Sequence, residues 1–372
     1  MGEDKEIRSK PVRVLQFTTQ LNPGGVQTFL FNYHEHMDSN EVIFDYVVQT
    51  NNLCALDSRV TQRGSKIYHV TSMTKSLYGY MRDVYRLLKK HPEYQIIHTH
   101  LNYRNMFPLI CGKLAKVKVR ISHSHNNYTA TSMLKSIERR IFRTFLPIIA
   151  TDYWACSDVA GEWLYGRNPK YKVIHNAIEV SKYRYSDEIR ANLRRKHHIG
   201  DQEVWINVGM FGKAKNHKFL LGLFQEHVKK NPNTVLVLCG DGSEKRTIEQ
   251  MVENYGLREK VLFLGTVNNV NEYLMMADIM ITPSLYEGLP LVCVEAQATG
   301  CPVVASSAVP EEALFAENTE RCLSWETSDW EESMNRVKNT KIDRSQAYML
   351  CAENNFEIYS EARKLQNIYI DM

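Results

Sequence analysis

The sequence predicts an α/β protein made of two doubly wound parallel sheets, and three observations carry that prediction. Short apolar runs alternate with longer amphipathic stretches along the chain, as strands and helices do when they take turns in a parallel sheet. The pattern runs once over the first half, is interrupted by a polar stretch near residues 181–203, and then restarts. At 372 residues the chain is too long for one ordinary core and suits two domains of roughly 150 to 200 residues each.

Taken in order, "VRVLQFT" (12–18) reads as a first strand, and "NPGGVQTFLFNYHEHM" as a glycine-rich turn leading into a helix. "FDYVVQT", "KIYHV" and "QIIHTH" follow as strands, separated by helical segments such as "LYGYMRDVYRLLKKH". "VRISHSH" and "DYWACS" continue the series, so residues 1–183 predict one Rossmann-like domain. After the polar stretch, "VWINVGMF", "TVLVLCGDG", "VLFLG", "DIMITPS" and "PVVAS" are strand-like with helical segments between them, which predicts a second such domain over 184–355. The last segment, 356–372, has a helical pattern. Open parallel sheets bind ligands beyond the carboxyl ends of their strands, at the point where strand order reverses.

Composition narrows the function. Hydrophobic residues at 44% and charged residues at 24% are those of a folded protein. Lys plus Arg at 46 against Asp plus Glu at 42 leaves a net charge of +4, too weak to argue for nucleic acid as a partner. The eight cysteines (Cys54, Cys111, Cys156, Cys239, Cys293, Cys301, Cys322 and Cys351) are scattered without a C-x-x-C pair, and read as reduced thiols in a cytoplasmic protein. The start, "MGEDKEIRSKP", is charged, lacks an apolar h-region and reads as a short frayed tail. No window carries about 18 uninterrupted apolar residues, so a membrane-spanning helix is not expected.

The stretch "YEGLPLVCVEAQATG" (286–300) carries the most chemistry. Pro290 suits the first position of a helix, where its missing N–H costs nothing, and Gly300 followed by Pro302 suits its end. Backbone N–H groups at Gly288, Leu289 and Leu291 would then surround a helix N-terminus, which favours an anionic group such as a diphosphate. Glu287 precedes that helix, and Glu295 falls inside it among Leu291, Val292, Val294 and Ala296, where an uncompensated charge is costly. A vicinal diol suits a carboxylate, because each oxygen can accept one hydroxyl, and ribose and sugar rings both supply diols. On the residues alone, Glu295 is equally a helix-surface glutamate and Glu287 a helix-start residue favoured by the dipole.

The segment "PSLYEGLPLVCVEAQATGCPVVAS" resembles the E-x7-E region of the retaining, nucleotide-sugar-dependent glycosyltransferases of family four, whose fold is GT-B. The resemblance extends through "NPGGVQTFLFNYH", "ISHSHNN", "WACSDVAGEWLYG", "VIHNAIEVSKY" and "VGMFGKAKNHKFLL", and favours the subgroup acting in bacterial capsular or exopolysaccharide assembly. It implies two Rossmann-like domains facing across a cleft, the first binding the acceptor and the second the nucleotide sugar, with the tail from 356 crossing back to the first. By the same resemblance Glu295 would hold the ribose, Glu287 the hydroxyls of the donor sugar, and Lys215 in "KAKNH" the leaving diphosphate. The family's usual arginine five residues before that lysine is here Met210, and Lys213 is the nearby cation that could stand in, although an ammonium cannot copy a guanidinium fork. Gly24 and Gly25 would let the backbone approach the diphosphate, or simply make a tight turn. His125 aligns with the family histidine that faces the donor sugar; His123, two residues earlier, points the same way in a strand. One of that pair is expected to pack or hydrogen-bond internally, and His98 and His100 read as structural or acceptor-side. Gly240 and Gly242 in "CGDGSEK" read first as a helix entrance.

What the resemblance implies is a hexosyltransferase that uses a UDP- or GDP-sugar as substrate, needs no cofactor and no metal, and extends a lipid-linked glycan acceptor. No D-x-D metal motif occurs in the sequence. The segment "MLKSIERRIFRTFLPIIA" (133–150) places Met133, Leu134, Ile137, Ile141, Phe142 and Phe145 on one side of a helix, with Lys135, Arg139, Arg140 and Arg143 elsewhere around it. It reads either as an ordinary half-buried helix or as a peripheral contact with an anionic bilayer, at the inner face of the cell membrane. A transferase acting on a small soluble acceptor shares every donor motif, and Met210 keeps open a non-catalytic sugar-nucleotide- or glycan-binding protein of the same fold.

Overall fold

A computed structural model of the chain describes residues 10–22, 24–125, 133–166 and 170–372. They fall into two compact units, one containing the chain up to Ala177 together with Ile358–Met372, the other Ile178–Glu357. The charged start, over residues 1–9, lies outside the described residues.

The first unit is built on a seven-stranded sheet of β1 (Val12–Phe17), β2 (Val42–Val48), β3 (Ile67–His69), β4 (Ile96–Thr99), β5 (Val119–Ser124), β6 (Asp152–Ala155) and β7 (Lys172–Val173). Neighbours pair in parallel in the order β3-β2-β1-β4-β5-β6-β7, so the order reverses between β1 and β4. Helices cover both faces, which is why β2 is buried at every residue and still carries an acid, Asp45. That carboxylate survives burial because Arg13 grips both its oxygens at 2.6 Å, with the Tyr94 hydroxyl donating at 2.7 Å and the Lys66 backbone N–H at 2.6 Å. The chain's last helix, Ile358–Ile370, belongs to this unit: Ile358, Ala362, Leu365 and Tyr369 join the core that contains Phe29, Tyr33 and Phe44.

The helix Met133–Ile149 forms, but not with the face expected. Phe142, grouped in the sequence on one side with Ile137, Ile141 and Phe145, is fully buried beside Leu146 and Ile149, because it is these three that meet the core. Ile137, Ile141, Phe145 and Ile148 remain 43–56% exposed, a stripe at helical spacing on the solvent side. Arg143 is turned inward, donating to the backbone oxygens of Leu164 at 3.0 Å and Glu162 at 3.1 Å. The side chains of Met133, Leu134, Lys135 and Arg139 lie outside the described residues.

The second unit is a six-stranded sheet of β8 (Glu203–Val208), β9 (Thr234–Cys239), β10 (Val261–Gly265), β11 (Ile279–Thr282), β12 (Val303–Ser306) and β13 (Thr319–Cys322), in the order β10-β9-β8-β11-β12-β13. Its strands also pair in parallel, and its order reverses between β8 and β11. Trp205, Phe224, Leu236, Ile281 and Trp330 fill the core. Seven of the eight cysteines are buried, and no disulfide joins any of them. Among the described residues no helix is long and apolar enough to cross a membrane.

Candidate functional site

In the second unit the candidate site is assembled by two loops that leave adjacent strands at the switch point. After β8 the chain passes Gly209 and makes a single 3-10 turn, Lys213–Lys215. Asn216, left-handed at φ 50°, then starts the helix His217–Lys230. After β11 it passes Ser284 and Glu287 to the helix Leu291–Ala298. The two loops are tied by the Leu285 N–H, which donates to the Ala214 carbonyl at 2.7 Å. That link sets Lys215 opposite Glu287, with Nζ 2.6 Å from Oε1, and the Ser284 hydroxyl donates to the same oxygen at 2.7 Å. Ser284 is held in turn by the Ser306 hydroxyl on its carbonyl at 2.5 Å.

Glycines make room for this arrangement. A side chain on Gly209 would place its Cβ 2.8 Å from Lys215 Cε, so the lysine stem runs across a surface that only glycine leaves open. Gly240, at φ 142°, lies against the same loop: a Cβ there would sit 2.0 Å from the Gly209 carbonyl oxygen. Gly242 meets Phe211 in the same way, so these two glycines serve the close approach of two backbones.

The helix Leu291–Ala298 differs from expectation by one residue at its start. Pro290 has an extended ψ of 101° and is the cap, its carbonyl accepting from the Cys293 N–H at 3.0 Å. The end is as the sequence implies: Gly300 is left-handed at φ 66°, with Cys301 N–H on the Ala296 carbonyl and Gly300 N–H on that of Gln297, both at 2.9 Å. Gly288 and Leu289 lie buried in the turn before the helix, whose first N–H groups have no intrahelical partner.

Glu295 is the fifth residue of that helix, and it has the partner its apolar surroundings demand. The Tyr183 hydroxyl donates to Oε1 at 2.9 Å. Loss of water around the carboxylate pushes its pKa up, and the Tyr183 hydrogen bond pulls it down. One of the two oxygens expected to receive a hydroxyl each is therefore already engaged. Tyr183, inside the quoted "VIHNAIEVSKY", was not singled out from sequence, because nothing local distinguishes it from a packing tyrosine. Met210 is 70% exposed and Lys213 is exposed, so the cation paired with Glu287 is Lys215.

In the first unit, Gly24 and Gly25 open the helix Gly25–His36. The Gln27 amide clips the preceding loop by donating to the Thr18 hydroxyl and the Gln20 carbonyl, both at 3.0 Å. A Cβ on Gly25 would meet nothing within 4 Å, while one on Gly24 would lie 2.8 Å from the Gln27 amide oxygen. His100 and His125 each follow the last residue of their strands, β4 and β5, and their rings are hydrogen-bonded, Nδ1 to Nε2, at 2.7 Å. His98 and His123 lie one step deeper and are bonded to each other at 3.1 Å. Although the sequence shows no metal motif, the side-chain nitrogens of His98, His100 and His123 lie within 4.8 Å of one another and could hold an ion.

The family described as glycosyl transferases group 1 matches residues 189–355, the stretch that carries Lys215, Glu287 and Glu295. Over 341 residues the chain is 31% identical to EpsF of Bacillus subtilis (strain 168), named as a glycosyltransferase, with 89% of each chain covered. The chain belongs to the group 1 glycosyltransferases. This glycosyltransferase is also 26% identical over 309 residues to the UDP-Gal:alpha-D-GlcNAc-diphosphoundecaprenol alpha-1,3-galactosyltransferase of Escherichia coli, covering 78% of each chain. To the capsular polysaccharide biosynthesis glycosyltransferase CapH of Staphylococcus aureus it is 23% identical over 375 residues, covering 96% and 99%. Among solved structures, Anabaena Alr3699/HepE in complex with UDP matches with a TM-score of 0.81 at 17% identity, over 97% of this chain and all of that one. The glycosyltransferase thus has the GT-B fold, and its relatives are those of capsular and exopolysaccharide assembly.

Proposed function

We propose that this glycosyltransferase moves a hexose from a UDP- or GDP-sugar to a lipid-linked glycan with retention of anomeric configuration, without a metal ion. The observation that carries the reading is the Lys215–Glu287 pair at 2.6 Å, set by two loops at the switch point of the second sheet. A lysine there is the cation a departing diphosphate needs, and a carboxylate beside it is the acceptor a sugar diol needs. Lys215 has three donors and spends one on Glu287, so it can turn toward phosphate oxygens while Ser284 keeps Glu287 in place. The N-terminus of Leu291–Ala298, with Gly288 and Leu289 before it, takes the diphosphate, and the free oxygen of Glu295 takes a ribose hydroxyl. The residues of the first unit that the family resemblance assigns to the donor are Gly24 and Gly25, for the phosphates, and His125, for the transferred sugar.

The bond from the anomeric carbon to the phosphate oxygen breaks as the acceptor oxygen bonds to that carbon on the same face, and the acceptor proton passes to the leaving phosphate. The protein then supplies position and charge, and no general base is required of it. The test is transfer from a panel of UDP- and GDP-hexoses to an undecaprenyl-diphosphate-linked sugar, in chelator, with the product's anomeric configuration read by NMR. Transfer from one donor with retention is expected. An inverted product or a strict need for metal removes the mechanism, and donor binding without transfer or hydrolysis favours a binding protein.

The lipid-linked acceptor is favoured over a soluble one by the stripe of Ile137, Ile141, Phe145 and Ile148, which lies 43–56% exposed with Arg140 beside it. Such a face suits the surface of an anionic bilayer on the cytoplasmic side. Burying each half-exposed side chain is worth about 1 kcal/mol. Ile141→Asp with Phe145→Asp is therefore expected to weaken sedimentation with phosphatidylglycerol vesicles at least tenfold, with transfer to a soluble acceptor unchanged. A wild-type protein that does not bind such vesicles ends this reading.

A further inference from the structure

Four buried imidazoles line the carboxyl ends of β4 and β5, beside the switch point of the first sheet, and the chemistry above uses one of them. Relative exposures are 0% for His98 and His123, 4% for His100 and 7% for His125. Burial holds all four far below the usual imidazole range, His125 at about 3, so each is neutral near pH 7 and carries one N–H and one lone pair.

That constraint allows the protons to be placed. His100 Nε2 lies 2.9 Å from the side-chain carbonyl of Gln16, a fully buried residue of β1. With the Gln16 amide in this orientation, its Nε2 buried and without a partner among the described residues, a carbonyl faces His100; it only accepts, so the His100 proton is on Nε2 and its Nδ1 is a lone pair. His125 Nε2, 2.7 Å from that lone pair, must then donate, which leaves His125 Nδ1 unprotonated. Nδ1 is buried and has no hydrogen-bond partner among the described residues. Phe29, from the helix that follows Gly24, packs against the His125 ring at 5.2 Å and limits its rotation.

We infer that Gln16 and His100 are positioning residues that fix His125 as the Nε2–H tautomer, so that its Nδ1 can only accept a hydrogen bond, from a hydroxyl of the transferred sugar. The inference rests on the proposed placement of His125 at that sugar, and it deepens it. A phosphate oxygen, having no proton to offer, is excluded as its partner, and a sugar deoxygenated at the contacted position leaves a buried acceptor unmet. The second pair is chained through the opposite nitrogens: the Tyr369 hydroxyl, on the last helix, lies 2.7 Å from His98 Nδ1, and His98 Nε2 lies 3.1 Å from His123 Nδ1, a neutral layer beneath the first whose tautomers a hydroxyl, able to donate or accept, does not fix.

A metal ion is the competing occupant of this cluster. None of the groups bonded to these rings is a carboxylate, so a divalent ion would bring two charges into a buried site with nothing to offset them.

Long-range proton–nitrogen NMR of the full chain labelled with nitrogen-15 histidine tests this, with His125 assigned by the signal lost in His125→Asn. Expected is a pyridine-type Nδ1 and a pyrrole-type Nε2 at His125. Gln16→Leu should mix the tautomers and lower kcat/KM roughly tenfold for the best donor in the panel of UDP- and GDP-hexoses, with affinity for the free nucleotide unchanged. A protonated Nδ1 in the wild type, or an unaltered spectrum in Gln16→Leu, overturns the relay. So does stoichiometric zinc that shifts all four rings. If the tautomer is as stated but Gln16→Leu turns over like the wild type, the relay stands and the contact between His125 and the sugar is what fails.

Discussion

Lys215→Ala is expected to lower kcat for sugar transfer by about 10²- to 10³-fold, the cost of removing one preorganised group that stabilises charge developing on a leaving oxygen. The loss should fall on kcat more than on donor KM. Negative charge on the diphosphate grows in the transition state, and on the proposed placement the helix N-terminus before Leu291 would still hold the ground state. Stability should change little. Lys215 and Glu287 keep 19% and 13% of their side-chain surface exposed, and Glu287 retains the Ser284 hydroxyl at 2.7 Å when the lysine is gone. A loss of about 1 kcal/mol would lower the unfolding midpoint by roughly 2 to 4 °C. Lys215→Arg should recover only part of the rate, because its fork is longer and planar where the loop presents a point charge across Gly209. Met210, 70% exposed, offers no second cation, so the whole effect should rest on this residue. Turnover by Lys215→Ala at the wild-type rate would remove the lysine from the mechanism.

The parts of this site that could be read in the sequence are those held by local rules. The helix after Glu287 declares itself through Pro290 and Gly300, and Lys215 and Glu295 sit in motifs whose spacing along the chain is the signal. The strands of both sheets could be read because a parallel sheet covered on two faces requires continuous apolar runs, as in "VLVLC". Where that condition lapses, so does the reading. β13 is "TERC", an edge strand whose Glu320 is spent on Ser333 and Arg336, and its three polar residues before the buried Cys322 give no periodic signal. Partners far apart in sequence were equally hidden. Tyr183 meets Glu295 across 112 positions and Gln16 meets His100 across 84, and neither contact leaves a pattern short enough to see. The misplaced face of Met133–Ile149 has a different cause: the helix is apolar on two sides, and only tertiary packing decides that Phe142 turns inward and Phe145 outward.

The contact between Tyr183 and Glu295 makes a second strong prediction, and its sign can be worked out. Glu295→Ala should weaken nucleotide binding by roughly 10- to 100-fold, the loss of at least one hydrogen bond to an ionised carboxylate. Binding a ribose hydroxyl uses the carboxylate form, and burial raises the pKa of Glu295. Affinity for nucleotide is therefore full above that pKa and falls as pH drops through it. Tyr183, by donating to Oε1 at 2.9 Å, favours the carboxylate and opposes the shift. Tyr183→Phe removes the donor, so the pKa rises further and the fall in affinity should begin at higher pH than in the wild type. On the alkaline plateau the variant should bind at least as well as the wild type, because the oxygen that Tyr183 occupied becomes available to the second hydroxyl of the diol. A tyrosine that merely packed would lower affinity by the same factor at every pH. Calorimetric titration of UDP and GDP into wild type, Tyr183→Phe and Glu295→Ala across the acid range separates the cases: a displaced curve identifies Tyr183 as the group that keeps Glu295 ionised, and parallel curves reject that role. If Glu295→Ala binds like the wild type at every pH, the ribose is held elsewhere, and the pairing with Tyr183 is structural.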